Sequence, residues 1–308
     1  MPDREPTPQV VRELFLSSLL FQSPKTLGPV MQRIATKMED VYVAEGESIY
    51  RIGEKPERHY FVVSGEVALT APGTPTWTFR ERSLIGTIDV GLNRPRARNA
   101  VAVKRTHLLA MPAEEWLSLL EDIFEFAERA IRLTAAGVDT LRTRKPPLGG
   151  FDPPTGEIVP LGERLDLVGR ILLLRKVDLC RRAGSQALAT IAELADERRL
   201  DAGEPFPLSD DRGGRVFVVV SGEIEVTRAE PELTGTFRTG QVVRGVEALG
   251  SQGDYEAKAL VPSAVLSISI EDYFDVMEDQ FDLARAAIAA TAEERERLLN
   301  RQVSQDEV

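Results

Sequence analysis

The stretch YFVVSGEVALT at residues 60–70 returns as FVVVSGEIEVT at 217–227, an offset of 157. The same offset relates IATKMEDVYVAEGE (34–47) to IAELADERRLDAGE (191–204), and MPAEEWLSLLEDIFEFA (111–127) to ISIEDYFDVMEDQFDLA (268–284). One register held across three separate segments marks a tandem repeat, which has to be read before any single element is assigned. Between the copies lies PPLGGFDPPTGEIVPLG (146–162), in which nine of seventeen residues are Pro or Gly. Proline removes an amide donor and fixes φ while glycine loosens the backbone, so neither a regular helix nor a central strand persists there. The expected organisation is a first domain over 1–145, a semi-rigid linker over 146–162 and a second domain over 163–308.

Within each copy the periodicity changes twice. Leu27, Met31, Ile34 and Met38 fall at helical spacing behind Ser23-Pro24, a cap and first-turn pair. From about 41 to 111, short β-branched runs are broken by Gly, Pro and Asn, and VVSGEV predicts two strands around a tight turn at Ser64-Gly65. Trp116, Leu120, Ile123, Phe124, Ala127 and Ile131 then return to a spacing of three and four, predicting one amphipathic helical segment. Tyr273, Phe274, Met277, Phe281, Ala284 and Ile288 repeat it. The fold class this implies is mixed α+β: two tandem antiparallel β jelly-roll domains, each flanked by helices.

The chain has 38 Lys+Arg against 49 Asp+Glu, a net charge of −11, which disfavours attraction to nucleic acid or to an anionic membrane surface. A single cysteine, Cys180, excludes an intramolecular disulfide and agrees with a reducing compartment. The apolar run LFLSSLL (14–20) is too short to span a bilayer and lacks the flanks of a signal peptide. The expectation is a cytoplasmic protein with neither a nucleic-acid nor a membrane partner.

The loop IGTIDVGLNRPRARNA (85–100) follows the β section and places an arginine ten residues after a glycine, directly behind a proline. With GESI at 46–49, YFVVSGEV at 60–67 and MPAEEWLSLLED opening the last helices, it resembles the cyclic-nucleotide-binding domain family over residues 14–140, and more weakly over 171–300. The resemblance implies a phosphate-binding cassette. Glycine lets the backbone approach, adjacent amides form an anion nest, and the arginine offers a forked pair of donors. Carried over by position, Gly86, Arg96 and Ala97 match the cassette, whereas Thr87 stands where a carboxylate would take the ribose hydroxyl and Asn99 where a Thr or Ser would follow. These five are the candidate ligand residues, and the resemblance names cAMP or cGMP as the ligand of the first domain. The bland alternative for Arg96 is a surface or ion-paired arginine, with Arg94 and Arg98 completing a solvated basic face.

The second copy keeps Gly245 but places Val246 beside it and has no arginine between Arg244 and Arg285. Lys258 is its remaining cation, with Glu247, Asp254 and Glu256 nearby, and the loop is two residues shorter. The expectation is that this copy binds no cyclic nucleotide in the family's manner.

His59 and His107 have no Cys or carboxylate partner at ligand spacing, so both are expected as satisfied structural histidines and no metal site is expected. Cys180 has arginine neighbours that could lower its pKa, but reads better as a small buried residue in the helix opening the second domain. Trp77 and Trp116 read as packing residues. No nucleophile elbow, P-loop or dinucleotide fingerprint is present, which argues against an enzyme. The C-terminal AAIAATAEERERLLNRQVSQDEV leaves no room for a recognition helix. Two such domains without an enzyme are similar in layout to kinase regulatory subunits, although no run of arginines precedes the first. Two functions follow: a regulatory or adaptor protein whose first domain senses a cyclic nucleotide, or a ligand-free assembly protein that uses both folds as surfaces. Either implies a protein partner, and the resemblance adds dimerisation through the last helices.

Overall fold

The computed structural model describes residues 28–144 and 165–301, apart from 211–212, 230–232, 244 and 251–254. Ser23-Pro24, Leu27 and the linker 146–162 lie outside the described residues. The first repeat begins with α1 (Gly28–Lys37), which turns Ile34 and Ala35 inward, with Met38 buried just after it. Six strands follow: β1 (Glu39–Val43), β2 (Ser48–Tyr50), β3 (Arg58–Thr70), β4 (Trp77–Arg80), β5 (Leu84–Ile85) and, after the short helix α2 (Thr87–Gly91), β6 (Asn99–Pro112). The long β6 is the spine. It pairs with β1, β2 and β3, and β3 in turn carries β4 and β5, all antiparallel. Phe61, Val62, Val67, Ile85, Leu108 and Leu109 are buried on this framework. Burying such side chains fully contributes roughly 1.5–3 kcal/mol each.

Ser64-Gly65 is not a hairpin turn. β3 runs unbroken through it for 13 residues, with register shifts against β6 on either side. Gly65 takes φ 105°, a value open to glycine, and lies directly against Thr106. The Thr106 hydroxyl accepts from Glu66 N at 3.2 Å and donates to Lys104 O at 2.7 Å, which supplies partners where the ladder is interrupted. The dipeptide therefore marks a bulge that bends a strand, a role that shares glycine with a turn.

The second repeat shows what the bend is for. After α5 (Leu167–Leu174) and α6 (Ser185–Leu194) come β7 (Asp196–Leu200), β8 (Pro205–Phe206), β9 (Ser209–Asp210), β10 (Gly213–Ser221), β11 (Glu223–Arg228), β12 (Leu233–Arg238), β13 (Val242–Val243), β14 (Tyr255–Ala259) and β15 (Ser263–Ser269). Gly222, with φ 87°, separates β10 from β11, and the chain there passes from the sheet β13-β10-β15-β7 into the sheet β12-β11-β14-β8. Phe206, Phe217, Val219, Ile224, Val226 and Phe237 fill the core there. Ser263 repeats the part of Thr106, accepting from Glu223 N at 3.1 Å and donating to Val261 O at 2.7 Å. The 157-residue offset also recurs in Gly46 N to Ala102 O (2.8 Å) and Gly203 N to Ala259 O (2.7 Å), and in the side-chain turns closed by Glu47 and Glu204. Both repeats are thus antiparallel β jelly rolls with flanking helices, built on one hydrogen-bond plan.

The predicted helical segment at the end of each copy is made of two helices. Ile123 (φ −136°, ψ 83°) separates α3 (Ala113–Asp122) from α4 (Phe124–Arg144), and Gln280 (φ −137°, ψ 85°) separates α7 (Ile270–Asp279) from α8 (Phe281–Arg301). Packing divides the chain into two compact units, one of described residues 28–130 with 299–301 and one of 131–298, so the divisions fall inside α4 and α8. The bounds at 145 and 163 are those of the repeat and enter the proposal below.

His59 corrects an expectation. It is fully buried on β3, against Trp116 (ring centroids 4.9 Å, edge-on) and Phe61 (5.6 Å), and neither ring nitrogen has a hydrogen-bond partner among the described residues. Burial, together with the charge of Arg96, lowers its pKa from 6.5 to about 3. His107 does have a carboxylate partner, brought in by strand pairing: its Nε2 lies 2.8 Å from Asp40 Oδ1 while its ring stacks on Tyr42. Both tryptophans pack as expected, Trp116 also against Phe126, and Trp77 buried under Arg98.

Two expected outcomes follow from this packing. A Cβ at Gly65 would lie 2.7 Å from Thr106 Cα, and one at Gly222 would lie 2.8 Å from Pro262 O, whereas Gly73 (φ 68°) has nothing within 4 Å. Gly65→Ala and Gly222→Ala should each lose about 1–3 kcal/mol beyond the left-handed penalty that Gly73→Ala alone carries, measured by urea unfolding. For His59, the unfolded chain takes up a proton below about pH 6.5 that the folded protein refuses until about pH 3. Stability therefore falls with pH across that window, by up to about 1.4 kcal/mol per pH unit. Unfolding midpoints followed from about pH 7 to about pH 4 should fall less steeply in His59→Phe than in the parent; equal slopes would contradict the assignment.

Candidate functional site

The loop 85–100 is positioned from both ends. Ile85, 1% exposed, anchors its start by pairing with Tyr60, and Asn99 opens β6 opposite Thr70. Gly86 has φ 78° and leads into α2; Asn93, at φ 48°, turns the chain back, with Arg94 N donating to Asp89 O at 3.1 Å. The return strand is clasped to the loop between β2 and β3. Gly53 N donates to Arg96 O and Arg96 N donates to Glu54 O, both at 2.8 Å. Arg96 therefore has its backbone fixed before its side chain makes any contact.

That side chain is 3% exposed and runs inward. Nη1 donates to Gly86 O at 2.8 Å, Nη2 donates to Arg58 O, and the guanidinium lies 4.1 Å from the centroid of the Tyr50 ring. Its carboxylate contact, Asp89 Oδ2, is 4.0 Å away, while Asp89 Oδ1 lies 3.0 Å from Arg94. Two guanidinium groups thus share one carboxylate, the Arg96 side chain buried and that of Arg94 one-third exposed. Arg96 Nε and the Tyr50 hydroxyl are buried without a hydrogen-bond partner among the described residues. Burial raises the Tyr50 phenol above its ordinary value, against the pull of Arg96, so it remains an O–H donor.

Of the five candidate residues, Gly86 and Arg96 come into direct contact. A Cβ at Gly86 would stand 2.6 Å from Arg96 Nη1, so the arginine end would have to shift, and the φ of 78° itself favours glycine. Thr87 is the first residue of α2 and half-buried; Ala97 is half-buried between two arginines. The Asn99 amide oxygen is already used, accepting from Ile52 N at 2.8 Å. A cavity of about 380 Å³ is lined by Tyr50, by the cations Lys55, Arg58 and Arg96 and by the carboxylates Glu47, Glu54 and Glu57 among others, and Arg96 is the one candidate residue that lines it.

The solvated basic face is not found. Arg98 is 4% exposed, lies 3.6 Å from the Trp77 ring centroid and donates to Asn300 Oδ1 at 2.7 Å. Arg94 is paired with Asp89. Sequence reasoning passed over two residues of this group. Asp89 sits in the loop 85–100 at a position the resemblance does not mark, and Tyr50 lies 46 positions before Arg96, directly after GESI and outside it.

In the second unit, Gly245 (φ 43°) opens a 3-10 helix, Gly245–Leu249, and Val246 beside it is buried. Gly250 lies against α4 backbone, where a Cβ would be 2.7 Å from the Ala135 carbonyl carbon. Lys258 is paired with Glu225 at 2.7 Å, and Arg244 and Asp254 lie outside the described residues. Cys180 is buried, in the turn between α5 and α6 rather than in a helix, with its thiol pushed up to about 12 by burial. Its neighbours Arg181 and Arg182 are both paired with Glu293. Among the described residues no group of three or more His, Cys, Asp or Glu is placed to hold a metal, and no helix is long and apolar enough to cross a membrane.

No curated protein matches the chain. Similar solved structures include the regulatory domain of Toxoplasma gondii PKA with cAMP, at 14% identity over 90% of this chain and 96% of that one, TM-score 0.34. The regulatory subunit of a cAMP-independent protein kinase A from Trypanosoma brucei aligns at 11% identity over 99% and 97%, TM-score 0.35. That of Trypanosoma cruzi, bound to guanosine, aligns at 12% over 97% and 94%, TM-score 0.33. A family model described as Cyclic nucleotide-binding domain matches residues 40–122, which take in β1 to β6 and α3 with the whole loop around Arg96. The resemblance read from the sequence is thus matched by that family's model over residues 40–122.

Proposed function

We propose that the protein is a cytoplasmic, non-enzymatic regulator in which the first repeat (1–145) binds a cyclic nucleotide and the second (163–308), joined through 146–162, is a degenerate copy that serves packing or contact with a protein partner. One observation carries this reading: the buried Arg96 guanidinium, which shares Asp89 with Arg94 and keeps a free Nε. A buried cation without full compensation is unfavourable by several kcal/mol, and an entering phosphate offsets that. Gly86 and Arg96 hold the phosphate, with the Ala97 backbone beside them, and Thr87 offers a neutral contact to the ribose. Asn99 supports the loop through Ile52. A neutral contact contributes about 0.5–1.5 kcal/mol where a charged one contributes about 1.5–3, so the site is a weak one, each 1.4 kcal/mol being tenfold in affinity.

The route outward is short. Arg96 donates to Arg58 O, and the preceding Glu57 O accepts from Ala113 N at 2.8 Å, at the start of α3. A ligand that draws Arg96 away from Arg58 loosens this link and biases the position of α3 and α4, the surface offered to a partner. The second copy lacks such a lever: Val246 is buried beside Gly245, and α4 backbone lies against Gly250.

A second reading has its own observation. Arg96 already fills the space beside Gly86, and Asp89 would repel a phosphate, which favours a ligand-free assembly protein. Calorimetric titration of the full chain with cAMP, cGMP and cyclic dinucleotides separates the two. The sensor reading expects measurable heat that weakens ten- to a hundredfold in Arg96→Ala, the loss of a charge-assisted bond. No heat with any ligand supports the assembly reading, and binding unchanged in Arg96→Ala removes Arg96 from the site.

A further inference from the structure

Tyr50 stands at the centre of an arrangement that the cassette does not explain. It lies on β2, 5% exposed, with its ring between the Arg96 guanidinium (4.1 Å) and the Tyr60 ring (centroids 6.1 Å, interplanar angle 22°). Its hydroxyl and Arg96 Nε are both buried and both without a hydrogen-bond partner among the described residues. Buried donors are almost always satisfied in folded proteins, so two orphans on one stacked pair mark a place where an acceptor belongs. The same two residues line the cavity of about 380 Å³, where Lys55, Arg58 and Arg96 face Glu47, Glu54 and Glu57. The other arginines with an orphaned Nε differ in their surroundings. Arg142 is paired with Glu294, and Arg228 has Asp139 at 3.6 Å and the Tyr255 hydroxyl at 3.0 Å. At those sites a protein acceptor already answers the charge; at Arg96 the carboxylate is 4.0 Å away and shared.

We infer that Tyr50 is a ligand-binding residue of the first domain, its hydroxyl joining Arg96 Nε to hold an anionic phosphoryl oxygen that enters from the cavity between β2 and the loop 51–58. This rests on the reading that the first domain binds a nucleotide phosphate. It adds a donor beside a guanidinium whose two Nη groups are already held by the Gly86 and Arg58 carbonyls. It also sharpens the contrast between the copies. At the 157-residue offset Tyr50 corresponds to Pro207, which has neither a hydroxyl nor an amide hydrogen to donate.

Tyr50→Phe in the full chain tests this, because it keeps the ring under Arg96 and removes only the hydroxyl. Binding of cAMP, cGMP and inorganic phosphate is measured by calorimetry, with guanosine as the phosphate-free arm, and the melting temperature is read without ligand. The expected result is at least tenfold weaker binding of the phosphate-bearing probes, about 1.4 kcal/mol, with an unchanged or higher melting temperature, since a buried unsatisfied hydroxyl has been removed. A melting temperature lowered by several degrees shows a structural hydroxyl and overturns the inference. So does binding equal to the parent's while Arg96→Ala abolishes it, and in that case the nucleotide reading stands. If no phosphate-bearing probe binds the parent, or Arg96→Ala binds as the parent does, the nucleotide reading fails and the inference with it.

Discussion

The contacts of Arg96 bind four parts of the first jelly roll to one another. Its backbone clasps Gly53 and Glu54, and its guanidinium reaches the end of β5 at Gly86, the start of β3 at Arg58 and the ring of Tyr50 on β2. β3 and β5 already pair through Tyr60 and Ile85, and Arg96 ties β2 and the loop at 53–54 to them. A cation in this position is held by carbonyl dipoles and one shared carboxylate, which fixes its place. Under the proposed function, structural anchoring and anion recognition draw on the same group, and a ligand competes with bonds that hold the fold.

The repeat explains how the two loops can differ on a common frame. The bend at Gly65 and Gly222, the hydroxyl partners Thr106 and Ser263, and the clasps at Gly46 and Gly203 are common to both. These features belong to the jelly roll and place no demand on the loop that follows β5 or β13. The loops are consequently free to diverge. The first retains glycine and arginine ten residues apart, whereas in the second a buried valine follows the glycine and α4 backbone packs against Gly250.

Most of the architecture was legible in the sequence because it is written in its patterns: the 157-residue offset, short β-branched runs broken by Gly, Pro and Asn, and the three-and-four spacing of Trp116 to Ile131. The misreadings share a cause. Ser64-Gly65 looks like a turn because glycine marks both turns and bulges, and the partner that decides between them, Thr106, is 41 residues away. The break at Ile123 leaves the helical period intact on either side, so periodicity passes over it. His59 and His107 were judged by neighbours in sequence, yet His107 finds Asp40 across a strand pair and His59 finds only aromatic rings. At the site, Gly86 and Arg96 were visible as a spaced pair, while Tyr50 and Asp89 owe their places to tertiary packing and carry no motif.

The account turns on Arg96 Nε, a donor that is buried and open in the protein alone. The ¹⁵N–¹H signal of that Nε–H, assigned by its loss in Arg96→Lys, reports directly on whether an acceptor arrives. Saturating cAMP is predicted to move this signal downfield as the hydrogen bond forms, with the Arg98 side chain, already engaged by Asn300, unmoved. An Arg96 Nε–H signal that stays in place at saturating cAMP would contradict the claim that this guanidinium is the anchor of an anion site.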